Sequence, residues 1–126
     1  MADIKTAISD SEINSCWEPI HVLRPMLQRE NFLSTIQHMQ SEGYHLLYIE
    51  EDQKTVAIAG YRIFSMLYCG KLLYIDDLST VEACRGKGYA SQLLDFLYEL
   101  ALKEDCQSVQ LDSGPTRTTA HKLYFK

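Results

Sequence analysis

One run, Arg85-Gly86-Lys87-Gly88-Tyr89-Ala90, constrains this chain more than any other stretch. It lies between a strand-like segment, Leu72 to Thr80, and an amphipathic helix, Gly88 to Lys103. Ala90, Leu93, Leu94, Leu97, Leu100 and Ala101 fall on one face of that helix. A loop that leaves a strand and opens a helix presents backbone N–H groups at the positive end of the helix dipole. Its glycines let a ligand come close to the backbone, and Arg85 and Lys87 add positive charge. Such a loop is built to hold phosphate.

Its spelling separates three kinds of phosphate loop. A triphosphate loop needs Gly-Lys followed by Ser or Thr, and here Lys87 is followed by Gly88. A dinucleotide loop needs a third glycine where Ser91 stands, although Asp112 lies at a suitable distance for a ribose contact. The third spelling is Gln/Arg-x-x-Gly-x-Gly/Ala, which Arg85, Gly88 and Ala90 fit.

The rest of the chain sets this loop in an α/β pattern. Ile4 to Ile8 reads as a short strand, and Ser9-x-x-Glu12 as a capping box opening a helix. Ile13, Cys16, Trp17 and Ile20 carry helical spacing, with a kink or break expected at Pro19. Phe32, Leu33, Ile36 and Met39 mark a second helix that Gly43 stops. Three strands follow: Tyr44 to Glu50, Thr55 to Met66 and Leu72 to Thr80. The short turns Glu51-Asp52-Gln53-Lys54 and Cys69-Gly70-Lys71 make them antiparallel neighbours. Ser108 to Asp112 is a fifth strand, parallel to Leu72–Thr80 because a helix crosses between them. Gly114-Pro115 breaks it, and a last helix is expected from about Thr116. The sum is a mixed, mostly antiparallel sheet flanked by helices.

Length and charge narrow the function. A chain of 126 residues fits a single domain, 1–126. Its net charge of −5 disfavours nonspecific nucleic-acid binding. No long apolar run suggests a membrane span, and Cys16, Cys69, Cys84 and Cys106 have no zinc-ligand spacing. These features point to a cytoplasmic protein with reduced thiols and no metal. Cys84 borders the loop without a base spaced to activate it. His21, His38, His45 and His121 form no ligand pattern.

The loop spelling resembles the pyrophosphate loop of the GNAT superfamily, the acyl-CoA-dependent N-acetyltransferases. Upstream, Leu73-Tyr74-Ile75-Asp76-Asp77-Leu78-Ser79-Thr80 resembles that family's central strand. Downstream, Ala120-His121-Lys122-Leu123-Tyr124-Phe125 resembles its last helix, where Ala-x-x-x-Tyr carries the catalytic tyrosine. The resemblance implies a V-shaped splay between the two central parallel strands, with the pantetheine arm of acetyl-CoA in the gap. It implies backbone pairing of that arm with Leu78 and Thr80. It also implies pyrophosphate contacts from Arg85, Gly86, Lys87, Gly88, Tyr89 and Ala90, mostly through backbone N–H groups.

For the chemistry, Tyr74-Ile75-Asp76-Asp77-Leu78 resembles the Leu-Glu-Asp segment of polyamine and aminoalkyl acetyltransferases. Asp76 matches the general base there, acting through a water if its shorter side chain does not reach. Strand alternation puts Tyr74, Asp76, Leu78 and Thr80 on one face and Asp77 on the other, where it would bind an arginine or cap a turn. Tyr124 matches the general acid. Arg117 stands where family members often carry Asn, and with His121 it borders the implied substrate pocket.

The leading reading is therefore transfer of an acetyl group from acetyl-CoA to a primary amine of a small molecule. Against it stand a noncatalytic acyl-CoA-binding module, a protein N-acetyltransferase and a dinucleotide-binding domain. The family normally adds two strands beyond Tyr124, and one covers Ser108–Asp112. The expectation is then either a fragment of a longer chain or completion of the sheet by a partner or second copy.

Overall fold

The computed structural model describes residues 2–112 and 120–124. Ser9 caps α1 (Asp10–Ser15) with the reciprocal bonds its sequence spells. Ser9 Oγ accepts from Glu12 N at 3.1 Å, and Glu12 Oε1 accepts from Ser9 N at 3.0 Å. The next helix, α2 (Trp17–Leu23), begins after a break at Cys16. Pro19 accounts for that break without sitting at it. It has no N–H to give Ser15 O, so the interruption falls in the turn before it. The third helix, α3 (Arg29–Ser41), closes where Gly43 stands at φ +98°. There Gly43 N donates to Gln40 O at 3.1 Å and Tyr44 N to Met39 O at 3.0 Å, a Schellman ending.

The strands are β1 (Lys5–Thr6), β2 (His45–Glu51), β3 (Lys54–Met66), β4 (Gly70–Thr80), β5 (Ser108–Asp112) and β6 (Ala120–Tyr124), with α4 (Tyr89–Lys103) between β4 and β5. They lie side by side in chain order in one sheet. The β4–β5 pair is parallel and the other neighbours are antiparallel. The turn between β2 and β3 is tighter than expected. Glu51 pairs with Lys54, leaving only Asp52 and Gln53, both at positive φ, as a primed turn requires.

The end of the chain differs from the sequence expectation. Residues 120–124 form β6, not a helix, and pair antiparallel with β5 from Asp112↔Ala120 to Ser108↔Tyr124. The physical reason is the exposed edge of β5. Its N–H and C=O groups need partners, and the chain's own last segment supplies them. Pairing for β5 from a second copy is thus not required. The start of the expected helix at Thr116, with Gly114, Pro115 and Arg117, lies outside the described residues.

Side chains pack on both faces of the sheet. On one, Leu73 and Ile75 of β4 meet Leu93 and Leu97 of α4. On the other, Leu46, Tyr48 and Ile58 meet Ile13 and Ile20 of the first two helices and Phe32 and Ile36 of α3.

A register shift sits where the faces meet the future site. Gly60 pairs with Asp77 and Tyr61 with Ile75, so Asp76 is an extra residue on β4, a β-bulge. One extra residue flips everything after it. Leu78 therefore packs on the α4 face, and Ser79 pairs opposite Ile58 on the other. Asp77 also turns to the face of α1–α3, where its Oδ2 accepts from Tyr44 Oη at 2.8 Å. The expectation that Asp76, Leu78 and Thr80 share a face opposite Asp77 is corrected by this bulge.

Gly60 makes room for it, because a Cβ there would overlap the hydroxyl and ring of Tyr44. Gly60→Ala is accordingly expected to displace Tyr44 and destabilise the protein by about 1–3 kcal/mol, as overpacking of a buried site does. A urea midpoint equal to that of the parent protein would show that the Tyr44 ring yields without cost.

Candidate functional site

The site forms where β4 outruns β5. The two strands pair only from Leu72↔Ser108 to Ile75↔Leu111, and β4 continues to Thr80. From Asp76 onward the β5 side of β4 has no strand partner among the described residues. Leu78 and Thr80 lie along this open edge. A cleft of about 330 Å³ runs beside it, lined by Val22 and Leu23 of α2, by Leu78 and Thr80, and by Arg85 and Ala90. It shares Thr80, Arg85 and Ala90 with a second cleft of about 480 Å³ that reaches Gly86, Gly88, Tyr89 and Ser91. Slot and loop are thus adjoining parts of one surface.

The loop descends from a 3-10 turn, Glu82–Cys84, which the sequence reading did not foresee. Gly86 and Gly88 stand at φ +86° and +87°, a backbone state that side chains strain. Gly88 caps α4, whose first intrahelical bond is Gln92 N to Gly88 O. The N–H groups of Tyr89, Ala90 and Ser91 therefore have no acceptor within the helix and face outward at its positive end.

Both cations of the loop make contacts within the protein. Arg85 Nε donates to Thr80 O at 3.2 Å. Lys87 Nζ lies 2.9 and 3.2 Å from the two oxygens of Glu51, and Tyr89 Oη donates to Glu51 Oε2. The Tyr89 hydrogen bond and then the Lys87 ammonium hold the Glu51 carboxyl below its ordinary value. Glu51 thus stays ionised at neutral pH and ties the loop to the β2–β3 hairpin. In the sequence Glu51 is simply a polar residue of the turn Glu51-Asp52-Gln53-Lys54. No local pattern marked it, because its partners lie in the distant loop.

At the inner end of the slot lie the two aspartates. Their side chains are only 16% and 15% exposed, and buried charges need partners. Each has an arginine. Arg62 on β3 reaches Asp76 with Nε at 3.1 Å from Oδ1 and Nη2 at 3.0 Å from Oδ2. Arg24, the residue ending α2, gives Nε to Asp77 Oδ1 at 3.1 Å and Nη2 to the Asp76 carbonyl at 3.0 Å. Burial pushes the Asp76 carboxyl above the ordinary aspartate value, and Arg62 pulls against it. A signal for Arg62 was present in the sequence: it is the one cation inside the apolar run Thr55–Met66. Arg24 and Tyr44 carried no such mark.

The structure brings Asp76, Leu78, Thr80 and the loop together, but not Tyr124. Tyr124 pairs with Ser108, while Ala120 pairs with Asp112, one step past the Ile75↔Leu111 pair. Its backbone is thus four strand steps from the level of Asp76, roughly 13 Å at about 3.3 Å per residue. Cys84 is buried, with Sγ 3.8 Å from Glu51 Oε1. His21 stacks on Trp17, His45 stacks on Tyr61, and His38 reaches Glu42. Among the described residues no group of His, Cys, Asp and Glu is arranged to hold a metal ion, and no helix is long and apolar enough to cross a membrane.

Comparison with known proteins agrees with this architecture. The chain is 32% identical over 125 residues to an uncharacterized N-acetyltransferase, YhdJ, of Bacillus subtilis strain 168, covering 98% of this chain and 88% of that one. A GNAT family acetyltransferase from Staphylococcus aureus superposes with a TM-score of 0.80 at 16% identity, covering 100% of this chain and 98% of the other. The structure of AAC(6')-Iy in complex with the bisubstrate analogue CoA-S-monomethyl-acetylneamine superposes with a TM-score of 0.75 at 15% identity, over 93% of this chain and 82% of that one. Residues 10–126 match the sequence profile of the Acetyltransferase (GNAT) family. With strand order, bulge, open slot and glycine loop all in place, the chain belongs to the GNAT acetyltransferase family.

Proposed function

We propose that this protein transfers the acetyl group of acetyl-CoA to a primary amine of a small molecule. One observation supports it above the others: the open edge of β4 joins the glycine loop at one end and a half-buried carboxylate at the other. In this reading the pyrophosphate sits on the N–H groups of Gly86 to Ala90. The pantetheine arm lies along Leu78 and Thr80, which delivers the thioester beside Asp76. The co-substrate is supported by the family and by the CoA analogue bound to AAC(6')-Iy.

The chemistry is direct attack. The neutral amine nitrogen bonds to the thioester carbonyl carbon, the carbon–sulfur bond breaks, and CoA leaves as thiolate. Asp76 accepts the amine proton. Both of its oxygens already receive hydrogen bonds from Arg62, so a relaying water is the simplest path. Tyr124 is proposed to protonate the thiolate on the strength of the Ala120-x-x-x-Tyr124 motif. This role needs the segment to leave its pairing with β5, since β6 holds it away from Asp76. The four free cysteines support a cytoplasmic setting.

A panel of spermidine, tyramine, glucosamine 6-phosphate and an aminoalkylphosphonate, each with acetyl-CoA, tests the reaction. Turnover of one or more is expected. Binding of acetyl-CoA without turnover of any amine or N-terminal peptide would favour a noncatalytic acyl-CoA-binding module.

Acetyl-CoA at about one hundred times its dissociation constant should stabilise the protein by about 2.7 kcal/mol, and NAD should not. Gly88→Val should remove that gain. A Cβ at Gly88 meets open space, so the cost comes from forcing a β-branched residue to φ +87° and distorting the loop. A folded Gly88→Val protein with the same thermal shift would place the cofactor elsewhere.

Asp76→Asn should lower turnover about a hundredfold at pH 6.5. The sign of the pH dependence follows from the chemistry. A base works above its own pKa, and the need for it fades as the pH approaches that of the free amine. The gap between variant and parent should therefore narrow as pH rises. Parallel profiles of equal height would remove Asp76 from the reaction.

Tyr124→Phe should reduce turnover about a hundredfold with acetyl-CoA affinity unchanged, since a proton given to the thiolate acts only in the transition state. Full turnover in this variant would leave Tyr124 as a strand residue of β6.

A further inference from the structure

We propose that Arg62 is the positioning residue of the reaction, fixing both the aim and the charge of the Asp76 carboxylate. The inference rests on Asp76 being the base, and its observations are separate from those that suggest that role. The guanidinium meets Asp76 fork to fork, with one N–H bond to each oxygen. Two such bonds fix the plane of a carboxylate, which one bond does not. The fork is itself held. Arg62 Cζ lies 5.8 Å from the Phe64 ring centre and 5.9 Å from that of Tyr74. A guanidinium against two aromatic rings keeps a set orientation that a lysine would not reproduce.

The bulge makes such a holder necessary. Asp76 is the unpaired extra residue of β4, where the ladder no longer dictates the side-chain direction. Among the described residues, the charged and titratable groups around it are Arg62 from β3, Arg24 from the end of α2, and Asp77 and Tyr74 from β4 itself, with Tyr44 reached through Asp77. Burial and the neighbouring Asp77 favour the protonated form of Asp76, while Arg62 and Arg24 favour the carboxylate. Arg24 spends its side-chain contact on Asp77 and touches Asp76 only at the carbonyl. Arg62 is thus the direct counter-charge. Without it a half-buried aspartate beside a second carboxylate would hold its proton to higher pH and cease to be a base where the parent protein works.

The test uses the whole chain labelled with ¹³C-carboxyl aspartate, with the Asp76 signal assigned by its loss in Asp76→Asn. In Arg62→Met the titration midpoint of that signal should move to higher pH. Arg62→Lys, which keeps the charge and loses the fork, should move it less. With acetyl-CoA and the fastest amine of the panel, Arg62→Met should lose about tenfold or more in turnover at pH 6.5 and recover to within about threefold at pH 9. Its KM for acetyl-CoA should stay unchanged. Arg62→Lys should instead lose turnover evenly across pH, the mark of lost aim. An unmoved midpoint in folded Arg62→Met overturns the proposal, as does an even loss in that variant. Arg62→Gln, measured the same way, decides the matter if the methionine variant does not fold. Full turnover in Asp76→Asn would remove the base reading alone, and the NMR midpoint would still decide whether Arg62 sets the charge of Asp76.

Discussion

The site depends on one extra residue in β4. Asp76 has no partner of its own on β3, and the strand regains register only at Gly60↔Asp77. Before the slip, Leu73 and Ile75 serve the α4 face. After it, Leu78 does so, one position later than alternation alone would give. Two carboxylates consequently turn toward α1–α3 in succession. The slip is tolerated because Gly60 leaves space for the Tyr44 ring, whose hydroxyl then holds Asp77. A hydrogen bond, a missing Cβ and a register shift are here a single construction.

That construction also decides how the helices sit on the sheet. Arg24 ends α2, and its guanidinium reaches both Asp77 and the carbonyl of Asp76. The wall of the slot formed by Val22 and Leu23 is therefore fastened to the floor at the bulge. Replacing such a network by apolar residues often costs nothing in stability, whereas removing one member strands a buried charge. At the inner end of the slot the network keeps two half-buried carboxylates, each with its own arginine.

Much of this was legible in the chain. The capping box at Ser9, the stop at Gly43, the strand pair around Cys69-Gly70-Lys71, the crossover through α4 and the bounds of β5 follow from local chemistry and period, which act over a few residues. The bulge was not legible, because a slip of one residue leaves the apolar pattern of Leu72–Thr80 almost intact. The partners Arg62, Arg24, Tyr44 and Glu51 join residues far apart in sequence, and only the closed sheet brings them together. At the end of the chain local pattern and tertiary demand diverged. Ala120-His121-Lys122-Leu123-Tyr124 has no strong preference of its own, and the open edge of β5 draws it into a strand.

The proposed pyrophosphate site lies on a chain with a net charge of −5, so it would depend on local geometry and not on overall charge. Lys87 is neutralised by Glu51, while Arg85 lines both clefts with its Nε tied to the carbonyl of Thr80. What remains aimed outward is a row of N–H groups at the start of α4, held open by two glycines in the left-handed region. Partial charges fixed in direction lose little to reorganisation when an anion arrives, and they do not collapse onto carboxylates elsewhere on an acidic surface. The same economy governs the other end of the slot, where Arg62 is committed to Asp76. In both places a side-chain cation, Lys87 on Glu51 and Arg62 on Asp76, holds the architecture, and the proposed ligand contacts fall mainly to backbone N–H groups and a single carboxylate.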